Sequence, residues 1–225
     1  MLIIPLPIHD DEEPLNLLKP YFTTNELHKY FGDCNNTNWI IYTDSSFKHN
    51  ISIKPYPKIK KHLDKFSEVI TSDNAPYGLH RARNEYFFVG DKIISLRKCA
   101  EPTFTYTDFD CYVSQTFFVI KSNRIDMRYL TALLNSNLIK FWLKNKGKMQ
   151  GNLFQVDKEP LKDIPVVKAP THIEKKVSSL IQEIINKRSR DLASDISLLE
   201  KEINALIYGV YELTPEDVEV VETSI

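Results

Sequence analysis

Lys144, Lys146 and Lys148 alternate along a stretch that ends in Gln150 and Asn152 (LKNKGKMQGN, residues 143–152). Ammonium groups neutralise phosphates, and a Gln or Asn amide can bond an adenine edge through two hydrogen bonds at once. Gly147 and Gly151 relax the chain around these side chains, so the amides could approach a base closely. The same string also describes a solvated, lysine-rich helix end followed by a flexible loop. On the residues alone both readings stand.

Other cations fall into similar patterns. Arg81 and Arg83 alternate in a predicted strand, so both guanidinium groups would face one side. That suits phosphates or base edges, and equally suits cross-strand pairing with Glu85 or Asp91. Lys58, Lys60, Lys61 and Lys65 lie off the apolar stripe of a predicted helix, as a phosphate patch or as a solvated face. Lys92 and Arg97 flank the apolar run IISL as edge charges, and Arg97 is a candidate contact. Tyr77 and His80 could stack or hydrogen-bond to a ligand, or simply pack. Trp39 and Trp142 sit in apolar patterns and are assigned to core.

Catalytic patterns are weak. Glu174-Lys175-Lys176 with Asp163 upstream imitates a metal-dependent nuclease motif, but it falls at the start of a predicted helix rather than on a strand. The six histidines show no metal-ligand spacing. Cys34, Cys99 and Cys111 are far apart and form no C-x-x-C pair, so they read as reduced cytoplasmic thiols, with a disulfide between two of them left open.

The chain has 225 residues and a net charge of only -1, but the charge is unevenly placed. Residues 48–98 and 121–162 each carry +6, while residues 1–47 carry -5 and residues 189–225 carry -7. Two basic blocks between acidic ends suit a localised polyanion-binding face, or an ordinary mixed surface. No apolar run approaches the roughly 20 residues needed to span a bilayer, so no membrane partner is expected.

These groups must be positioned by surrounding elements. NTNWIIYTD (36–44) reads as a strand and YPKIKKHLDKFSEVI (56–70) as an amphipathic helix buried through Ile59, Leu63, Phe66 and Ile70. Glu85 to Lys121 is rich in aromatic and β-branched residues and predicts three or four antiparallel strands, punctuated at Gly90-Asp91 and Pro102. Asp126 caps a helix that Asn135-Ser136 bends or restarts, with Ser136 capping its second half. FQVDKEPLKDIPV (154–166) predicts a short strand, then a turn and a proline stop. Two helices follow Thr171, one striped by Ile173, Val177, Leu180 and Ile184, the other by Leu192, Ile196, Leu199, Ile203 and Leu206. A third starts after Thr214-Pro215, with Asp217 completing a capping box. The expected fold class is α+β: a mixed, mainly antiparallel sheet with packed helices, followed by a helical C-terminal segment.

The order of these pieces resembles the TaqI-like C-terminal specificity domain, the target-recognition domain of type II and type IIG restriction–modification DNA adenine-N6 methyltransferases. The resemblance rests on LLKPYFTTNELHKYF, NWIIYTD, YPKIKKHLDKF, YGLHRARNEYFFVGDKIISLRK and the stretch from YLTALLNSNLIKFWLKNKGKMQGN to LKDIPV. Where the family commonly has Trp-Tyr, this chain has Pro76-Tyr77. In the tail EKEINALIYGVYELTPEDVEVVE, Asn204 stands where relatives carry Asp, and Glu212 where they carry Gly. The resemblance implies a target-recognition domain over 15–167, between residues 1–14, which read as an irregular leader, and a helical segment over 168–225.

It also implies sequence-specific recognition of double-stranded DNA, with methylation or cleavage done by a separate catalytic domain in cis or in trans. The chain has no Pro-Pro dipeptide, which the adenine-flipping motif of such methyltransferases needs, and no glycine-rich strand-to-helix turn. No cofactor is therefore expected in this chain; S-adenosylmethionine and Mg2+ belong to the catalytic part. The implied DNA contacts are Lys58, Lys61, Tyr77, His80, Arg81, Arg83, Arg97, Lys144, Lys146, Lys148, Gln150 and Asn152. The alternative is a scaffold subunit that assembles a complex through its C-terminal helices; the clustered basic blocks argue against it.

Overall fold

The computed structural model describes residues 3–4, 16–156 and 158–225. In chain order the strands are β1 (Ile3–Ile4), β2 (Leu18–Tyr21), β3 (Tyr30–Phe31), β4 (Asn38–Ile41), β5 (Lys92–Leu96), β6 (Lys98–Cys99), β7 (Phe104–Thr107), β8 (Phe117–Ile120), β9 (Lys148–Gln150) and β10 (Leu153–Gln155). The helices are α1 (Asn50–Ile53), α2 (Pro57–Asp64), α3 (Met127–Leu134), α4 (Asn137–Lys146), α5 (Lys158–Lys162), α6 (Thr171–Arg188), α7 (Ser197–Val210) and α8 (Pro215–Thr223). They divide into two units, each drawn from separate stretches of the chain: 1–23, 35–89 and 110–113 in the first, and 24–34, 90–109 and 114–225 in the second.

The first unit holds a small antiparallel sheet of order β1-β4-β2. The predicted strand over NWII is therefore its centre, and Ile3–Ile4 of the expected leader pairs with Trp39 and Ile40; the rest of that leader lies outside the described residues. Leu17, Ile41, Ile53, Ile59, Leu63 and Tyr77 form this unit's core. Pro57 starts α2 at a position where its missing N–H costs nothing. The helix ends at Asp64, earlier than the periodicity suggests, because i→i+3 bonds from Phe66 to Leu63 and from Val69 to Phe66 tighten the chain into turns.

The second unit is built on a four-stranded sheet of order β3-β7-β5-β8. β5 pairs antiparallel with β7 and β8, while β3 joins β7 in parallel, so the sheet is mixed and mainly antiparallel. Helices α3 and α6 bury Tyr129, Leu133, Val177, Ile181 and Ile184 in a core with Ile93 and Phe104. A second sheet, β6-β10-β9, carries a hairpin. The α+β class with a C-terminal helical segment is what the structure has.

Side-chain caps set the helix boundaries. Asp126 accepts the N–H of Tyr129 at 2.9 Å, as expected. The long helix breaks at Asn135-Ser136: the Asn135 amide accepts the N–H of Phe104 at 3.0 Å and donates to the carbonyls of Phe104 (2.7 Å) and Thr131 (3.0 Å). Ser136 then caps α4, accepting from the N–H of Ile139 at 3.3 Å. Asn204 accepts the next free donor, the N–H of Asn137, at 2.9 Å, so this side-chain amide serves a helix N-terminus. Leu192, placed on the α7 stripe by the sequence, lies before that helix and is exposed, because the helix starts only at Ser197.

Two strand expectations fail. Glu85–Phe87 is a 3-10 turn instead of a strand, since Asn84 caps it by accepting the N–H of Tyr86 at 2.9 Å. Lys92 is not an edge charge: it is fully buried, with Nζ donating to the carbonyls of Gly90 (2.9 Å) and Phe109 (2.5 Å). The turn expected after β10 holds the short helix α5.

The end of α7 yields a test. Glu212 adopts φ +54°, while its N–H bonds the carbonyl of Gly209 and the N–H of Leu213 that of Tyr208. These two bonds make a Schellman cap, whose left-handed residue is usually glycine. Glu212→Gly is expected to raise stability by about 1 kcal/mol, read as a higher midpoint in urea unfolding with an unchanged slope.

Candidate nucleic-acid interface

In the first unit the candidate residues lie on α2 and on the loop from Tyr77 to Arg83. Lys58 is half-buried in the first turn of α2, and Lys61 is exposed in its last. Between them Lys60 pairs with Asp64 at 2.6 Å and sits 5.4 Å from the centre of the Tyr77 ring. The Tyr77 hydroxyl donates to the same carboxylate at 2.7 Å. Together the Lys60 and Tyr77 hydrogen bonds hold the Asp64 carboxyl below its ordinary range.

Tyr77 is therefore a support. Its side chain is part of the core, only 9% of the residue is exposed, and its carbonyl accepts from the Thr43 hydroxyl at 2.7 Å. Its ring faces Lys60 and its hydroxyl is taken by Asp64, so neither group points to a ligand contact. Thr43 also accepts the N–H of Leu79 at 3.1 Å, and the Asn74 amide donates to the Leu79 carbonyl at 2.7 Å. His80 is exposed with Nδ1 3.2 Å from Asp73.

Arg81 and Arg83 do not alternate on a strand; they lie in a loop held by side-chain bonds, and both are exposed. The Tyr42 hydroxyl accepts the N–H of Arg83 at 2.7 Å and donates to its carbonyl at 2.8 Å. One phenol thus clamps the backbone on both sides of the arginine. Burial, opposed by the bond to the Arg83 backbone, pushes the Tyr42 phenol up from its ordinary value, so it stays a donor at neutral pH. The neighbouring Glu85 takes Lys19 at 2.8 Å and the hydroxyl of Tyr112. Burial alone would raise its carboxyl, but these two hydrogen bonds outweigh it and leave it lowered.

In the second unit the candidates follow α4. Lys144 donates to the carbonyl of Ser224 at 2.6 Å, which ties it to the chain after α8. Lys146 is exposed in the last turn. Gly147 ends the helix where a Cβ would stand 2.3 Å from the Leu143 carbonyl oxygen, so no larger residue fits without a shift. The expected amide loop is a hairpin: β9, a turn at Gly151-Asn152, then β10. Gly151 has φ +61° at the first turn position, as a type II′ turn requires.

The register sorts the hairpin's side chains. Lys148 and Gln150 pair with Gln155 and Leu153, and Gln155 pairs with Lys98, so these five share one face. Met149, Phe154 and Cys99 share the other, where Phe154 enters the core. The polar face carries two ammonium groups and two amides. Lys98 Nζ donates to the side-chain Oε1 of Gln150 at 2.8 Å, which fixes which end of that amide points where. Arg97 is exposed, its guanidinium 4.8 Å from the Phe118 ring centre, and its carbonyl accepts the N–H of Val156 at 2.9 Å. Asn152 is exposed at the turn.

Six of the candidates thus lie in each unit. Lys98 and Gln155 escaped the sequence reading; the alternation of charged and amide residues around a Gly-Asn turn was the signal for a hairpin that would have found Gln155. Glu174 and Lys176, the nuclease-like pair, lie on α6, and Lys176 pairs with Glu202 at 2.9 Å.

Comparison with known proteins gives the class. Residues 19–166 match the TaqI-like C-terminal specificity domain, and the chain belongs to that family. Two type II methyltransferases of Haemophilus influenzae, M.HincII and M.HindII, are each 29% identical over 82 residues, covering 33% of this chain and 16% of their own. The type IIL restriction–modification enzyme MmeI, solved in complex with DNA, shares the fold: TM-score 0.65 at 12% identity, over 88% of this chain and 28% of that one. The chain thus spans less than a third of each of these proteins.

The Tyr42 clamp predicts a local effect. Tyr42→Phe is expected to cost about 1 kcal/mol and to speed hydrogen exchange at the Arg83 amide, while amides in the four-stranded sheet of the second unit exchange as before.

Proposed function

We propose that this chain reads the sequence of double-stranded DNA as the specificity module of a restriction–modification enzyme. It positions the duplex for adenine-N6 methylation, cleavage or both, done by a separate methyltransferase or nuclease domain in cis or in trans. S-adenosylmethionine and Mg2+ would be used in that catalytic domain, and the cytoplasm is where such an enzyme meets its DNA. Among the described residues no helix is long and apolar enough to cross a membrane.

The observation that carries the reading is the polar face of the β6-β10-β9 sheet, in a chain of the TaqI-like specificity family. Ammonium and amide groups stand there on paired strands rather than on a floppy loop. A two-stranded ribbon fits the major groove. Lys146 and Lys148 would neutralise phosphates and set the register, and Gln150, oriented by Lys98, would read a base edge. Lys58, Lys61, His80, Arg81 and Arg83 of the first unit would add phosphate contacts. Lys144, tied to Ser224, would contribute charge rather than a close contact.

The scaffold reading loses its main support. Val177, Leu180, Ile181 and Ile184 of α6, and Ile203 and Ile207 of α7, are buried inside their own unit. Their stripes are thus used within the fold.

Fluorescence anisotropy with duplex DNA across a salt series tests the proposal. Affinity should fall steeply with salt. Lys146→Ala and Lys148→Ala should each lower the slope of log affinity against log salt by about 1. On the duplex the protein prefers, Gln150→Ala should cost about 1–3 kcal/mol and leave the slope unchanged. Absence of duplex binding at low salt would defeat the proposal.

A further inference from the structure

Tyr86, Phe87 and Phe88 are consecutive aromatics with opposite fates. Phe88 is buried, stacked on Tyr112 at 4.7 Å between ring centres and edge-on to Tyr42 at 5.8 Å. Tyr86 and Phe87 are 54% and 43% exposed, their rings 5.6 Å apart and nearly perpendicular. Two large rings side by side in water oppose the hydrophobic effect, and such exposure marks a contact surface.

The turn that carries them is held at both ends. Asn84 caps it, Glu85 is fixed by Lys19 and Tyr112, and the Phe88 carbonyl accepts the N–H of Cys111 at 2.8 Å. Beneath it, Tyr42, Phe88 and Tyr112 pack on one another. The rings are therefore presented on a preformed platform, with little ordering left to cost affinity.

The charge around them selects the occupant. Arg81 and Arg83 are exposed just upstream, and Glu85, the sole carboxylate from Gly78 to Phe88, is matched by Lys19. Two exposed guanidinium groups a few residues before two exposed rings complement a polyanion that carries aromatic bases. An apolar protein surface would bury both guanidinium groups with no counter-charge.

We propose that Tyr86 and Phe87 form an aromatic wedge that stacks on bases at an opened step of the bound duplex, with Arg81 and Arg83 on the adjoining phosphates. This rests on the DNA-recognition reading and deepens it: the first unit contributes deformation of the duplex as well as charge. A wedge works against base stacking, so it favours DNA whose stacking is already broken.

The test compares the whole chain with Tyr86→Ala, Phe87→Ala and the double variant, on a paired duplex and on the same duplex with a central mismatch. Wild type should bind the mismatched duplex more tightly. Each alanine should weaken binding by about 10-fold, the double variant should lose the mismatch preference, and the salt slope should stay unchanged. Tyr86→Phe and Phe87→Tyr keep a π face and should bind as wild type, which separates stacking from any disturbance of the turn. Alanine variants that bind both duplexes like wild type overturn the wedge and leave the DNA reading intact. So does a loss of affinity that comes with a changed salt slope, or a defect seen only in binding to a catalytic protein partner. A wild type that binds neither duplex overturns the DNA reading, and the wedge with it.

Discussion

The break between α3 and α4 fixes where the second unit's candidate groups emerge. An unbroken helix from Met127 to Lys146 would run straight for about 30 Å and deliver its lysines elsewhere. The Asn135 amide prevents this by satisfying both backbone groups of Phe104 and the carbonyl of Thr131. A buried amide with all these partners is held hard, since leaving backbone groups unsatisfied would cost about 1–3 kcal/mol each. Ser136, with extended backbone at φ -69° and ψ 155°, then restarts the helix, and Asn204 receives the N–H of Asn137. From that start α4 ends at Gly147, where absence of a Cβ lets the chain turn beside the Leu143 carbonyl into the hairpin. The polar face of Lys148 and Gln150 thus depends on an amide in the core.

The first unit solves a similar problem without long elements. Between α2 and the 3-10 turn there is no regular structure, yet the chain is held at Tyr77, Leu79 and Arg83 by the Thr43, Asn74 and Tyr42 side chains. Each bond uses a backbone group that would otherwise lack a partner in a loop. Loops fixed in this way can present cations and rings in defined positions, which binding surfaces on loops need.

What could be read in the sequence was chemistry that acts within a few residues. The Asp126 cap, the Ser136 restart and the Thr214–Asp217 capping box join neighbours three residues apart, and all three are present. Their warrant is local hydrogen bonding, which a sequence displays. Glu85–Phe87 misled because aromatic content suggests a strand, while the outcome was set by Asn84 and by Lys19 and Tyr112, distant in sequence. The burial of Lys92 depends on the carbonyl of Phe109, and the engagement of Tyr77 on Asp64 and Thr43. Such pairings across the fold leave no periodicity to read. For the same reason the candidate cations were visible as residues, while their present partners, such as Ser224 for Lys144, were not.

Under the proposed function, sequence discrimination resides in this chain. Incubating it with a pool of randomised duplexes at moderate salt, then sequencing the bound fraction, tests that most directly. Enrichment of one short motif that contains adenine is expected. A bound fraction with the base composition of the starting pool would contradict it, leaving a chain that holds DNA without reading it.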